Sequence, residues 1–507
     1  MLKTLKNKWP IIALAGVSAL SIVFVVTFLK TTDAFKPSEQ VETESIIKAA
    51  ANSPVLSLAN QSAAQREAAL GDLAQRLSGL EGARARYMLA TDYINQAQSD
   101  KALPLLEGLE GSYKDLAGYV LLRRAQAQSA IGQSEAAIAT LNQLTQSYPD
   151  STATAEALYK LGLPTAGLPA NSALPDSQPV ALPDAWAQLL QAFPSHPLSV
   201  NIAFRQAASL KPNDDAALPL LRQVAYHGLE HPQYTQALNR LTSQYSSALT
   251  PEDWEAIGFG YWETQNYAQA GEAYIKAPGS PRTQYRAARG KERGGKGREA
   301  VRVYQLLDKT FPEHPETASG LLNLADLQDD AAAIATLDSI IERFPDRAAD
   351  ALVKRAEILD ELKSPDSAKQ ARASILSQYP ASAAAANIRL KQANANAKNG
   401  DYTAAISWAR QLVEAAPQDE LAAEAGFWLG KWSLRQNQPD EARKAFEQVV
   451  RNHPESYYSW RSAIYLDWNV GNFDTVRSFQ PELALPARRT PLPTGSFALQ
   501  ELYLHGR

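Results

Sequence analysis

Trp254-Glu255-Ala256-Ile257-Gly258-Phe259-Gly260-Tyr261, followed by Ala270 and Tyr274, is the stretch on which the architecture turns. Trp254, Ile257, Gly258 and Tyr261 fall at i, i+3, i+4 and i+7, which places them on one face of a helix. Ala270 and Tyr274 repeat that one-turn spacing on a second helix. Two antiparallel helices that approach closely need small side chains where they cross. A large side chain one turn later then fills the space beneath the neighbouring pair.

The same arrangement recurs along the chain. Pro312, Pro345, Pro380, Pro417 and Pro454 follow one another at spacings of 33, 35, 37 and 37 residues. Twelve residues before each stands an alanine: Ala300, Ala333, Ala368, Ala405 and Ala442, with an earlier copy pairing Ala137 with Pro149. A larger residue follows the alanine by one turn at four of the six copies, as Leu141, Tyr304, Leu337 and Phe446. Proline lacks an N–H and disfavours helical geometry in the residue before it, so the spacing predicts that each proline stops a second helix. The pattern W-x2-I-G-x2-Y…A-x3-Y resembles a tetratricopeptide repeat, and Leu429-Gly430 with Ala442, Phe446 and Pro454 resembles a second copy. The resemblance implies stacked helical hairpins.

Working outward, the 507 residues are 45% hydrophobic and 21% charged, the balance of an ordinary folded chain. The net charge of −4 gives no global case for nucleic-acid binding. Zero cysteines exclude disulfides, Cys-based zinc sites and thiol chemistry. At the N-terminus, Lys3, Lys6 and Lys8 precede an uncharged, mostly apolar stretch from Ile11 to Leu29, closed by Lys30. Such a helix spans about 28 Å, the thickness of a bilayer's hydrocarbon core. The positive-inside rule keeps the N-terminus cytoplasmic and exports the rest. An uncleaved anchor is expected over a cleaved leader, because Phe28-Leu29-Lys30-Thr31-Thr32-Asp33-Ala34 holds no small-residue cleavage site.

The chain therefore reads as an all-α solenoid of tetratricopeptide-like helical hairpins forming a superhelix, preceded by one N-terminal transmembrane helix. Residues 1–30 form the cytoplasmic tip and anchor and 31–60 a polar spacer. N-terminal helical repeats occupy 61–162. A linker with five prolines (163–183) divides them from the longer superhelix at 184–454, and 455–507 form a C-terminal helical segment.

Chemical constellations are few. His227-x2-Glu230-His231 has an inverted zinc-hydrolase spacing, but Gly228 and Pro232 disrupt it and it reads as a polar helix terminus. Gly290-x4-Gly295-Lys296-Gly297 mimics a phosphate-binding loop without the required Ser or Thr after the lysine. Around it, Arg282, Arg286, Arg289, Lys291, Arg293, Lys296 and Arg298 form a candidate patch for an anionic ligand. No cofactor, metal or catalytic residue is expected.

The segments Phe193-Pro194-Ser195-His196-Pro197, Phe311-Pro312-Glu313-His314-Pro315, Leu103-Pro104-Leu105-Leu106-Glu107-Gly108-Leu109 and Pro251-Glu252-Asp253-Trp254 are similar to parts of the non-catalytic arm of soluble lytic transglycosylases. The stretch from Tyr457 to Trp468 is similar too, and the resemblance points to the membrane-anchored cyanobacterial branch. It implies a periplasmic arm, anchored in the inner membrane through residues 11–29, that positions peptidoglycan glycan strands. In that family a goose-lysozyme-like domain then cleaves the strands without water. Neither Met1 nor Met88 lies in the Gly-Leu-Met-Gln segment of that domain, and Glu44-Ser45 and Glu455-Ser456 sit in a spacer and a turn. No catalytic residue carries over, and the catalytic domain is expected to lie outside this chain. The alternative is a membrane-anchored periplasmic scaffold that binds proteins or peptides.

Overall fold

The computed structural model describes residues 53–163, 183–468, 492 and 496–505, all of them helix and connecting turn with no strand among the described residues. The expected anchor at 11–29 and nearly all of the Pro-rich linker lie outside the described residues. Among the described residues no helix is long and apolar enough to cross a membrane.

The helices fall into two compact units. The first contains α1 (Ala63–Arg76), α2 (Gly79–Asn95), α3 (Ser99–Leu106), α4 (Leu109–Ser112), α5 (Ala117–Ala130), α6 (Ser134–Ser147), α7 (Thr152–Leu161) and α8 (Asp184–Ala192). On α6, Ala137, Leu141 and Leu144 are fully buried, as the repeat spacing requires. Residues 184–192 were expected to open the second array, yet α8 belongs to the first unit. Trp186 explains the difference: its indole lies where a side chain on Gly162 would be, and its Nε1 donates to the Tyr159 carbonyl at 2.9 Å.

The second unit is a stack in which each helix packs against the next. It runs α9 (Pro197–Ser209), α10 (Ala217–His227), α11 (Tyr234–Gln244), α12 (Pro251–Glu263), α13 (Tyr267–Lys276), α14 (Pro281–Arg293), α15 (Gly297–Thr310) and α16 (Pro315–Ala325). It continues with α17 (Asp330–Arg343), α18 (Pro345–Glu361), α19 (Pro365–Gln378), α20 (Ala383–Lys398), α21 (Tyr402–Ala415), α22 (Glu420–Arg435), α23 (Pro439–Asn452) and α24 (Tyr457–Tyr465). The repeat alanines Ala300, Ala333, Ala368, Ala405 and Ala442 are at most 2% exposed, so each sits at a helix contact. One proline departs from its expected role. Pro345 does not merely follow α17 but opens α18 at its first turn, where a missing N–H costs nothing.

The C-terminal segment 455–507 was expected to lead towards a catalytic domain outside this chain, and its described helices fall in different units. Helix α24 remains in the second unit, its Tyr465 ring stacked on Phe446 at a centroid separation of 5.0 Å. The last helix, α25 (Phe497–Leu504), joins the first unit. Its Glu501 is 0% exposed and meets Arg84 on α2, also buried, with Arg84 Nε donating to Glu501 Oε2 at 2.9 Å. The Tyr113 hydroxyl donates to the same carboxylate, and Tyr113 lies 2.9 Å from His505 Nε2. Burial pushes the Glu501 carboxyl up, but hydrogen bonds from Arg84, His505 and Tyr113 outweigh it and hold the group down at about 2.

A buried ion pair adds little over an apolar contact, but removing one partner strands the other charge in the interior. Glu501→Gln is therefore expected to cost about 3 kcal/mol in urea denaturation. Because the folded pKa lies below the unfolded one, the Glu501 contribution is complete above the ordinary carboxylate pKa. It disappears as pH falls towards about 2. Amide protection across 497–504, relative to intrinsic exchange, should fall in that window in the wild type, and the E501Q chain should lack that added fall.

Candidate functional site

The residue one turn after each repeat alanine decides whether the space between successive hairpins is filled. On α15 it is Tyr304, 1% exposed, whose ring would lie 3.2 Å from a Cβ on Gly320 of α16 and whose hydroxyl donates to Glu292 at 2.6 Å. On α23 it is Phe446, packed against Gly430 of α22 and Tyr465 of α24. On α21 it is only Ala409, but Leu429 and Trp432 of α22 are buried in the same cluster and supply the missing volume.

On α19 the position holds Arg372, which lines an open groove. The guanidinium turns to Asp360, and the start of α20 offers only Ala383 to Ala386. The groove, of about 600 Å³, lies between α18 and α20 with α19 at its base. Its apolar lining is Val353, Ala356, Ile375, Ala384 and Ile388, with Ile375 fully buried. Polar groups at its edge are Asn387, Gln392, Glu357 and Lys391. Lys354, also on the rim, is engaged by Asp326. Glu357 and Lys391 hold no ion pair among the described residues, so one charge of each sign remains beside a mostly apolar slot. Such a slot holds an apolar side chain, and the amides beside it suit the N–H and C=O groups of an extended backbone.

The basic residues singled out in the sequence do not converge on a shared site. Lys291 is 3% exposed and bound by Glu272 at 2.6 Å and Glu299 at 2.5 Å. Lys296 also pairs with Glu272 at 2.6 Å, and hydrogen bonds from Lys291 and Lys296 hold the Glu272 carboxyl below its usual value. Arg289 pairs with Glu292, and Arg286 donates to the Tyr274 hydroxyl at 2.8 Å. Arg293 stacks over Trp262 and Tyr267, with 4.8 Å to the Tyr267 centroid. Only Arg282 and Arg298 are exposed without an ion pair or ring contact among the described residues. An anion would have to displace carboxylates already in place.

The glycines of the same segment serve packing. A Cβ on Gly271 would sit 2.7 Å from the Lys291 amide nitrogen, and one on Gly290 would sit 2.7 Å from the Gly271 nitrogen. The backbones of α13 and α14 thus touch directly. Gly295 has φ +78 and makes the turn into α15. At the other constellation, His231 Nδ1 accepts from the Gln233 amide at 3.2 Å and its ring lies 4.8 Å from Phe204. No group of His, Asp or Glu able to hold a metal occurs among the described residues.

Family profiles agree with the hairpin geometry. One profile described as a tetratricopeptide repeat matches residues 119–151, 319–347 and 424–456, and a second of the same description matches 359–420. No curated protein matches the chain. Among solved structures, the C-terminal part of a TPR repeat-containing protein from Cytophaga hutchinsonii is similar at 13% identity and TM-score 0.30, over 48% of this chain and 97% of that one. The Cut9–Hcn1 hetero-tetramer of the APC/C is similar at 15% identity and TM-score 0.24, over 81% and 87%. The TPR domain of P58(IPK) is similar at 14% identity and TM-score 0.21, over 76% and 97%.

Replacing Gly290 by alanine should force α13 and α14 apart and cost about 2 kcal/mol in urea denaturation. The matched control is Gly279→Ala, where an added Cβ meets nothing within 4 Å, and it should leave stability unchanged.

Proposed function

From a chain built of tetratricopeptide repeats, we propose a scaffold that grips an extended segment of a partner protein in the groove between α18 and α20. The observation that carries this reading is the open groove beside Arg372, which stands where four of the six copies of the repeat place a large core residue. The expected ligand is a peptide with an apolar side chain for the slot and backbone groups for Asn387 and Gln392. The lysines ahead of the apolar stretch 11–29 support membrane anchoring and export of the repeats to the periplasmic side.

A second reading is the peptidoglycan-positioning arm of a lytic transglycosylase, supported by the sequence resemblance. The two Phe-Pro segments of that resemblance have local roles. His196 Nδ1 accepts from the Leu198 amide at 3.2 Å, and His314 Nδ1 accepts from the Glu316 amide at 3.4 Å, so both are helix caps. Helix caps of this kind do not read a glycan, and the protein-binding reading leads for that reason.

Arg372→Phe restores the missing ring. It should raise stability by about 1 kcal/mol through added apolar burial. In a random peptide-display selection on the full chain, peptides with an apolar anchor should be enriched and should lose about tenfold in affinity for the R372F chain. Retention on purified sacculi with no peptide enrichment would instead favour the glycan reading.

A further inference from the structure

Among the last described helices of the second unit, α22 and α24 present a surface of exposed rings. Tyr457 is 61% exposed, Tyr465 39% and Trp468 45%, a density of open aromatic surface unlike the rest of the stack. Two cations sit among these rings. Lys431 lies 5.9 Å from the Phe427 centroid and 5.3 Å from that of Tyr465. Arg461 lies 6.0 Å from the Phe427 centroid on the same cluster.

Both cations also act on one group: Lys431 first, and then the charge of Arg461, push the Tyr465 hydroxyl below the usual phenol value. Neither cation has a carboxylate partner among the ion pairs of the described residues. Burial, and then the nearby charge of Glu424, push the Tyr458 hydroxyl up. Two like charges beside one ring, neither held in an ion pair, favour an incoming carboxylate. The rings beside them would gain by burial under an apolar or aromatic side chain.

We propose that the face formed by Lys431, Arg461, Tyr457, Tyr465 and Trp468 is a second docking surface, and that it takes an acidic protein segment carrying aromatic or aliphatic residues beside its carboxylates. A glycan is disfavoured, because the groups that flank the rings are cations rather than the acceptor carboxylates and amides that read sugar hydroxyls. This inference shares with the groove reading only the premise that the partner is a protein. The two surfaces use different helices and different chemistry.

The test uses the full chain in detergent, immobilised and offered a random dodecapeptide display library. Selected peptides are then measured singly by fluorescence anisotropy. The expected result is a class of acidic, aromatic-rich peptides whose affinity falls about tenfold with Lys431→Glu/Arg461→Glu and weakens as salt is raised. Tyr457→Ala, at a solvent-exposed position, should weaken the same class several-fold without changing the circular dichroism spectrum. Arg372→Phe should leave the class untouched. Absence of acidic enrichment, or acidic binding that ignores the charge reversal, overturns the proposal. So does a concentration-dependent dimer in sedimentation that Lys431→Glu/Arg461→Glu abolishes, since the occupant would then be a second copy of this chain. Failure of the groove reading shows separately, as apolar-anchored peptides indifferent to Arg372→Phe.

Discussion

Close approach of neighbouring helices is the constraint on which the rest of the structure depends. The alanines that recur twelve residues before a proline are buried at helix crossings, and at the tightest point Gly271 and Gly290 bring two backbones into direct contact. Dispersion and apolar burial reward such contacts only when no side chain holds the helices apart. Where the crossing is tight, the residue one turn later must fill the triangular space beneath the next helix. Tyr304 and Phe446 do so from within their own helix, while Ala409 relies on the larger residues of α22.

The groove between α18 and α20 follows from that constraint. It is not an added pocket but a repeat interface left unfilled, because an arginine cannot be buried there unpaired and turns outward to Asp360. The aromatic end of the second unit has a related origin. Phe427, Phe446 and Tyr465 complete one interface, and beside it Lys431 of α22 and Arg461 of α24 lie among partly exposed rings. Both candidate surfaces thus arise where the repeat's filling rule breaks or stops.

The first unit uses a different device at its C-terminal helix. Apolar packing of Leu504 is joined by a charged group, Glu501, that is matched by Arg84, Tyr113 and His505. Apolar helix faces accept many partners, whereas a buried carboxylate tolerates only the site that supplies its donors. That requirement selects where the helix docks. It also accounts for the joining of residues more than 400 positions apart, Arg84 and Glu501 having a separation of 417.

The periodic alanines, prolines and one-turn spacings determined the helical-repeat fold by themselves, because tetratricopeptide geometry is local and each hairpin meets only its neighbours. The groove was half legible: the filling residue is visible at four of six copies, but only the tertiary structure shows that Trp432 packs in the cluster of Ala409 while a groove stays open beside Arg372. The basic run 282–298 read as a patch because sequence lists charges without their partners, and Glu272, Glu292 and Glu299 neutralise much of it in space. Long-range docking was decided by tertiary structure alone. No local pattern links Glu501 to Arg84 or Trp186 to Gly162, since burial and pairing at those contacts depend on residues that the chain brings together only on folding.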